Sequence, residues 1–561
     1  MKKEQASKKR DLNKVNLIAD LVVAGGGLSG VCAAITAARQ GVKVLLVQDR
    51  PVLGGNSSSE VRLWILGATS HMGNNNRWAR EGGVIDEILV ENTYRNPEGN
   101  PLILDMILLD KVTQEKNIQL LLNTAVFEVD KEDDKIRSIS AFCSQNSTLY
   151  QLEAPLFCDA TGDGIVGFLS GAAFRMGAES KEEFDEGMAP TAEYGELLGH
   201  SLYFYSKDTG RPVKFTPPNF ALSDITEIPR FRQFNANEYG CKLWWVEYGG
   251  RLDTVHDTEK IKWELWKVVY GIWNHIKNSG EFPEAENLTL EWVGTIPGKR
   301  ESRRFEGDYI LSQKDLIEQR HHQDAVAFGG WSIDLHPADG VYSERPGCNQ
   351  WHGKGIFEIP YRTLYSKNIE NLFLAGRIIS VSHVAFGATR VMATCAYIGQ
   401  AVGMAATLCK AEGLLPRAIL SDGHIDTLQQ KLSLNGQYIP EVKIVDILDL
   451  IASSESAVSS TLDFNGFNRR DLWKTLVLPS AQLFPVLKGQ LPVFNVEVNA
   501  FQPTTLKVSL RKSERKGGFT PDQTLAKLEI EIPKGEQTVS LDFKVALAED
   551  AYVFVAFDAN E

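Results

Sequence analysis

The chain lacks most of the features that would tie it to a membrane, a nucleic acid or an oxidising compartment. Its 561 residues hold only seven cysteines, Cys32, Cys143, Cys158, Cys241, Cys348, Cys395 and Cys409, an odd count with no C-x-x-C pair. Several lie in apolar runs, where cysteine serves as a small core residue. That pattern favours a reducing compartment over a disulfide scaffold. The N-terminus has no apolar signal core, so the expected location is the cytoplasm; export would need a signal removed from this sequence. No run is read as long and apolar enough to span a bilayer. Positive charge is short, with 59 Lys+Arg against 72 Asp+Glu and a net charge of −13. Such a balance argues against a nucleic-acid partner or an anionic membrane surface. The basic run Lys2, Lys3, Lys8, Lys9 and Arg10 is expected in a solvated tail over 1–17.

What remains is the composition of an ordinary globular protein, 43% hydrophobic and 23% charged. The length predicts two to four domains. The stretch ADLVVAGGGLSG, from Ala19 to Gly30, reads as a buried strand, a glycine turn and a helix. Gly25, Gly27 and Gly30 fill the G-x-G-x-x-G positions, with Leu28 and Ser29 between them. Gly25 permits the turn, Gly27 leaves room for a pyrophosphate, and Gly30 lets the helix pack close to the strand. The helix start aims free N–H groups at the phosphates. A second strand, Val42 to Val47, completes the βαβ unit. It ends in Gln48, where an acidic ribose ligand is expected, with Asp49 beside it. A glutamine amide holds a hydroxyl more weakly than a carboxylate, and the choice between the two stays open.

The loop RPVLGGNSSSEVRLW follows. Its Gly54-Gly55 pair resembles the large FAD-dependent oxidoreductase superfamily, in which this loop runs along the pyrophosphate towards the flavin. The resemblance implies cofactor contacts at Arg50, Gly54, Gly55, Asn56 and Ser57. Arg62 and Trp64 would face the flavin or the substrate, or else make a surface ion pair and core packing. His71 does not match the spacing of histidines that carry covalent flavin in relatives, so FAD is expected to be noncovalent. Ala125-Val126 falls where such proteins contact adenine through the backbone. The segment Ala160-Thr161-Gly162-Asp163-Gly164, after a buried strand, resembles the second glycine motif of these flavoproteins.

From about Met176 to Ile356 tryptophans concentrate: Trp244, Trp245, Trp263, Trp266, Trp273, Trp292, Trp331 and Trp351. This region reads as an inserted substrate domain, with most of the tryptophans in its core and some available to line a pocket against a sugar ring. WSIDLH, Trp331 to His336, would as a strand place Ser332, Asp334 and His336 on one face. Asp334 could then orient His336 as a proton acceptor; a solvated surface strand is the alternative. The cluster Gly298-Lys299-Arg300-Glu301-Ser302-Arg303-Arg304 reads as a salt-bridged helix start or an interface to the flavin domain, and less readily as an anion site. Leu372 to Ala375 is a buried strand ending at Gly376-Arg377, and Thr389 to Met392 opens an Ala/Gly-rich helix.

With ATGDG, WSIDLH and GKRESRR, this last stretch resembles soluble FAD-dependent oxidoreductases distantly related to the fumarate reductase and succinate dehydrogenase flavoproteins. The likeness covers about Ala19 to Gly413. It implies that Gly376, Thr389, Val391 and Met392 approach the flavin. Relatives often carry an acidic residue where Arg377 stands.

The expected fold class is α/β. A Rossmann-like FAD-binding domain (18–175 and 357–412) carries an inserted α+β substrate domain (176–356). A connector (413–441) leads to a C-terminal all-β sandwich (442–561), read from short alternating strands. The expected activity is hydride transfer between flavin N5 and a small molecule, favouring oxidation of a carbohydrate-like secondary alcohol, with an unidentified electron acceptor. His336 or His383 would take the proton, and Arg390 or Arg62 would balance charge. The alternatives are reduction of an activated C=C bond, or a glycan-binding protein with an inactive flavin fold. No metal is expected.

Overall fold

The computed structural model describes residues 10–69, 79–190, 194–237, 242–353, 355–461, 472–514 and 521–560; His71 and Cys241 lie outside them. The chain divides into two compact units, 1–444 and 445–561.

The first unit is built on a five-stranded parallel sheet. Strand β1 (Asn13–Ile18) precedes β2 (Leu21–Ala24), helix α1 (Leu28–Arg39) and β3 (Val44–Val47). Strand β1 pairs in parallel with a later strand, so the expected tail to residue 17 is already structured at Asn13. Helices α2 (Gly83–Arg95) and α3 (Pro101–Thr113) lead to β4 (Ile118–Leu121), the meander β5 (Thr124–Glu132), β6 (Lys135–Cys143) and β7 (Thr148–Glu153), and then β8 (Leu156–Asp159). Far along the chain, β11 (Leu372–Leu374) returns to pair with β8, giving the order β11-β8-β2-β3-β4. Strands β2, β3, β8 and β11 are buried at every residue. Such continuous apolar runs are what a parallel sheet covered on both faces requires.

Helix α1 crosses α6 (Met392–Glu412) at close range. A Cβ on Gly399 would lie 2.1 Å from Ser29 O, and one on Gly403 2.3 Å from Ala33 O. By length and composition α6 could cross a membrane, which the sequence reading did not register. Its most apolar window, however, is 94% buried inside the domain, as a core helix is.

Between β8 and β11 lies the inserted region, with its own core around α4 (Thr258–Asn278). Ile261, Leu265, Val268, Ile272 and Ile276 of α4 pack with Phe204, Trp245 and Trp273. The insertion ends earlier than expected: Phe305, Leu311, Leu316, Val326 and Ile333 belong to the flavin-domain core. The stretch 413–441 is not a bare connector either. Its helix Ile425–Leu434 buries Leu428 and Leu432, and Gln437 Nε2 donates to Val326 O at 2.7 Å.

The second unit is an all-β module. A four-stranded antiparallel sheet combines Ser480–Val486, Ala551–Phe557, Thr504–Lys512 and Gln523–Ile532. Phe494–Ala500 and Gly535–Leu541 form a second pair. Both contribute to one core around Leu506, Val508, Leu510, Leu541 and Val553.

Candidate active site

A cavity of about 910 Å³ runs from the turn between β2 and α1 to the inserted region. Small-molecule and cofactor pockets span roughly 300–1,000 Å³, so this one lies at the large end.

Its nucleotide end is made by glycines with different reasons to be glycine. Gly25 has φ 105°, and a Cβ there would lie 2.3 Å from Ala160 O. A Cβ on Gly30 would strike Gly25 O at 1.9 Å, so Gly30 seats α1 on the turn and does not line the cavity. At Gly27 φ is an ordinary −64°, and no atom lies within 4 Å of the Cβ position. The protein itself leaves that space open at the start of a helix with no acidic residue in its first turn. This is the cradle a pyrophosphate needs. Gly54 N donates to Gly26 O at 2.8 Å and lays the Gly54-Gly55 loop alongside. Ser57 shapes that loop through Oγ to Gly54 O, 2.9 Å, and makes no wall. Leu28, Ser29, Asn56, Thr161, Gly162, Gly376, Val391 and Met392 complete this end. The buried Ser29 Oγ has no protein partner. These residues fit FAD.

Gln48 lines the cavity, but its amide is already engaged. Its Oε1 accepts from Gly26 N at 2.7 Å and its Nε2 donates to Val52 O at 3.2 Å, so both ends of the amide hold backbone. Asp49, largely exposed, and Arg50 line the cavity mouth with their side chains. Val126 is part of β5, paired with Ala141, and does not reach the cavity. Thr389 also misses it: it is the buried last residue of α5 (His383–Thr389), and the wall is made by Val391, the N-cap of α6, and Met392. Arg377 Nη2 bonds Asp163 Oδ1 at 3.0 Å, and Lys299 engages the other oxygen. Burial would raise the Asp163 pKa, but Lys299 and Arg377 outweigh it and hold the carboxyl well below its ordinary value.

The far end collects the polar groups. WSIDLH forms the short strand β10 (Ile333–Leu335), with Asp334 and His336 in the cavity wall. Asp334 Oδ2 lies 3.2 Å from His336 Nε2 and 3.1 Å from Arg390 Nη2. Against the penalty of burial, His336, Arg390 and Arg300 keep Asp334 ionised far below the usual range. His336 Nδ1 faces a second carboxylate, Glu247 Oε1, at 2.9 Å. Glu247, on strand β9 (Glu247–Tyr248), also lies 2.6 Å from Arg300 Nη2. Trp331 and Trp244 line this end, the latter edge-on to the His336 ring at 5.4 Å between centroids. Trp64 lines the cavity as well, and the other six tryptophans singled out between Met176 and Ile356 are not in the wall.

Two expected catalytic residues are elsewhere. His383 is buried at the start of α5, with Nδ1 2.9 Å from Glu301 Oε2 and its backbone N–H on Glu179 Oε2 at 2.8 Å. Arg304, fully buried, joins the same two carboxylates at 2.6 and 3.0 Å. This network sits behind the cavity. Arg62 has φ 61° and stacks its guanidinium on Trp292 at 4.4 Å and Tyr205 at 5.2 Å, outside the wall. The cluster around Arg300 starts no helix. Arg303 bonds Asp163 O at 2.9 Å and Ser302 Oγ bonds Gly162 O at 3.1 Å, tying the inserted region to the second glycine motif. Glu247 carried no sequence signal: it sits in a two-residue strand, far from WSIDLH along the chain. Among the described residues no group of three or more His, Cys, Asp or Glu side chains could hold a metal ion.

A family profile described as FAD dependent oxidoreductase matches residues 20–432. No curated protein matches the chain in sequence. Similar solved structures include a geranylgeranyl bacteriochlorophyll reductase-like protein from Thermoplasma acidophilum, with 14% identity over 75% of this chain and 83% of that one at a TM-score of 0.32. The Mycobacterium smegmatis Sdh1 structure shows 16% identity over 76% and 78% at 0.32. The E. coli quinol fumarate reductase FrdA shows 14% over 74% of each chain at 0.29. The profile match spans well over half of the sequence and includes the cavity's glycine motifs: the chain belongs to the FAD dependent oxidoreductase family, and its cofactor is FAD.

Proposed function

We propose that this enzyme oxidises a secondary alcohol of a small, polar, carbohydrate-like molecule. The observation that carries the reading is His336, set in the cavity wall between two carboxylates at the end away from the nucleotide cradle. FAD, when bound, supplies the hydride acceptor at N5. The chain supplies the rest. The His336 imidazole takes the hydroxyl proton as the carbinol C–H leaves as hydride, and the alcohol becomes a ketone. Asp334 stabilises the imidazolium and is itself held by Arg390. Trp244 and Trp331 offer flat faces to the apolar side of a sugar ring and help keep out water. Asp49, whose largely exposed carboxylate meets Arg50 at 3.9 Å, would hold the ribose hydroxyls. The six described cysteines are free thiols, which supports a reducing, cytoplasmic setting.

Two arginines of the wall, the buried Arg300 and the part-buried Arg390, favour a second reading, in which a bound carboxylate and a guanidinium proton donor serve reduction of an activated C=C bond. One anaerobic screen separates the two. Oxidised holoenzyme mixed with sugars and glycosides should lose its yellow colour with one of them. If instead only dithionite-reduced enzyme reacts, regaining colour with an unsaturated dicarboxylate, the alcohol reading fails.

A further inference from the structure

Helix α4 buries Ile261, Leu265, Val268, Ile272 and Ile276 on one face, yet its opposite face is aromatic. Trp263, Trp266 and Tyr270 stand at i, i+3 and i+7 and so share one stripe, turned away from that core. Trp263 is 53% exposed. Its ring meets Trp266 edge-on at 5.0 Å between centroids and Phe220 at 5.7 Å. Phe220, 43% exposed, also meets Tyr270 at 5.5 Å. The inserted core gains little from rings on the solvent side of an amphipathic helix, and a contiguous exposed patch of this kind marks a binding surface.

The same file of rings leads to the cavity. Trp266 Nε1 donates to Gly294 O at 2.8 Å, and the Trp292 ring lies against that glycine, 3.4 Å from where a Cβ would be. Trp292 belongs to the antiparallel pair Phe204–Asp208 and Leu288–Val293, directly across from Tyr205, with ring centroids 5.5 Å apart. Phe204 enters the inserted core, so Tyr205 faces the other way, as does Tyr203, which lines the cavity. Arg62 lies over both Trp292 and Tyr205. Two residues on, Trp64 lines the cavity while 58% exposed, and so stands at an opening.

We propose that this row, from Trp64 through Trp292 and Trp266 to Trp263 and Phe220, is an outer binding site for a chain of sugar units. The substrate is then an oligosaccharide or polysaccharide whose end enters the cavity. The inference rests on the alcohol reading of the cavity and names the substrate more closely. Two observations choose this occupant. The row is continuous with the site where the reacting unit sits. Its rings are also interleaved with charge: Lys262 Nζ lies 5.0 Å from the Trp266 ring centre and 2.6 Å from Glu259, and Arg62 sits on the Trp292–Tyr205 pair. A sugar presents apolar C–H faces to aromatic rings and hydroxyls to the charged groups between them.

The test is isothermal titration calorimetry of the oxidised, FAD-loaded, full-length enzyme. The probes are cellohexaose, xylohexaose, mannohexaose, maltohexaose and chitohexaose, each with its monosaccharide. One hexasaccharide should bind about tenfold or more tighter than its monosaccharide. Trp263→Ala should remove most of that advantage and leave the FAD content and the monosaccharide affinity unchanged, while Trp263→Phe, which keeps an aromatic face, should retain part of it. If no hexasaccharide binds tighter than its monosaccharide, the proposal is overturned, a result that needs no variant to fold. Wild-type hexasaccharide affinity in both Trp263→Ala and Phe220→Ala overturns it too. So does a wild-type dimer that these variants turn into a monomer in sedimentation, which would make the row a contact between copies of the chain. Failure of the alcohol reading looks different: a hexasaccharide would bind with the length dependence and the Trp263 effect, yet bleach no flavin.

Discussion

Gly27 and Gly30 look alike in the motif but answer to different constraints. Alanine at Gly27 enters open space at an ordinary φ. The apoprotein should melt at the wild-type temperature or slightly above it, while FAD affinity falls about tenfold or more, for the loss of a charge-assisted hydrogen bond worth ~1.5–3 kcal/mol. Alanine at Gly30 must push against Gly25 O, so Gly30→Ala should cost ~1–3 kcal/mol or more in the apoprotein itself. Calorimetry with and without FAD separates the two. The buried network behind the cavity gives a second contrast. Arg304→Ala strands Glu179 and Glu301 and should cost about 3–5 kcal/mol in urea unfolding. Glu301 carries a pH signature. Burial raises its pKa, but His383 and Arg304 lower it more, so the folded value lies below the ordinary 4.5. The stability this gives is present in full above that ordinary value and drains as pH falls towards the folded one. The urea midpoint of Glu301→Gln should therefore decline less steeply than wild type below about pH 4.5. At this scale the motif residues were legible because backbone geometry dictates them. Gln48 was legible as a departure but not in its role, since its partners Gly26 and Val52 are fixed only by the folded turn. His383 was misplaced for the same kind of reason: chain order brought it near the flavin, but Glu301 turns its ring away.

Among the elements, the strands of the parallel sheet could be read almost to the residue, because each is an apolar run bounded by turn signals. Helix α4 was equally plain from its single apolar face. Elements made by tertiary contact were not. Strand β9 has two residues and β10 three, too few for any period to show. Helix α3 is apolar on most sides, which hides its 3.6-residue repeat. The approach of α1 to α6 was hidden too, although Gly399 and Gly403 mark it with a four-residue spacing that only the facing backbone explains. Gly403→Leu should force the two helices apart. The expected result is a loss of ~1–3 kcal/mol or more together with weakened FAD retention on gel filtration, because α1 carries the phosphate cradle at its start. An unchanged urea midpoint and full retention of FAD would mean that the crossing is looser than described.

For the whole molecule, the alternation of apolar residues from about residue 493 onward identified the all-β module, and the glycine motifs identified the flavin domain. The end of the flavin domain, expected at 412, was read too early, because Leu428, Leu432 and Gln437 give no local sign that they pack on it. Each unit has its own core, so cleavage after Ile444 should leave a soluble, yellow fragment of residues 1–444. Loss of the flavin from that fragment would show that the second unit is needed to keep the first one folded. The central claim is that His336, not His383, takes the proton of the substrate. Stopped-flow flavin reduction in the anaerobic holoenzyme, with the alcohol identified by the screen, tests it directly. His336→Gln should keep FAD and reduce it slower by about two to four orders of magnitude, while His383→Gln should reduce it within a few-fold of wild type. A His336→Gln enzyme that holds FAD and reduces it at the wild-type rate would contradict the account.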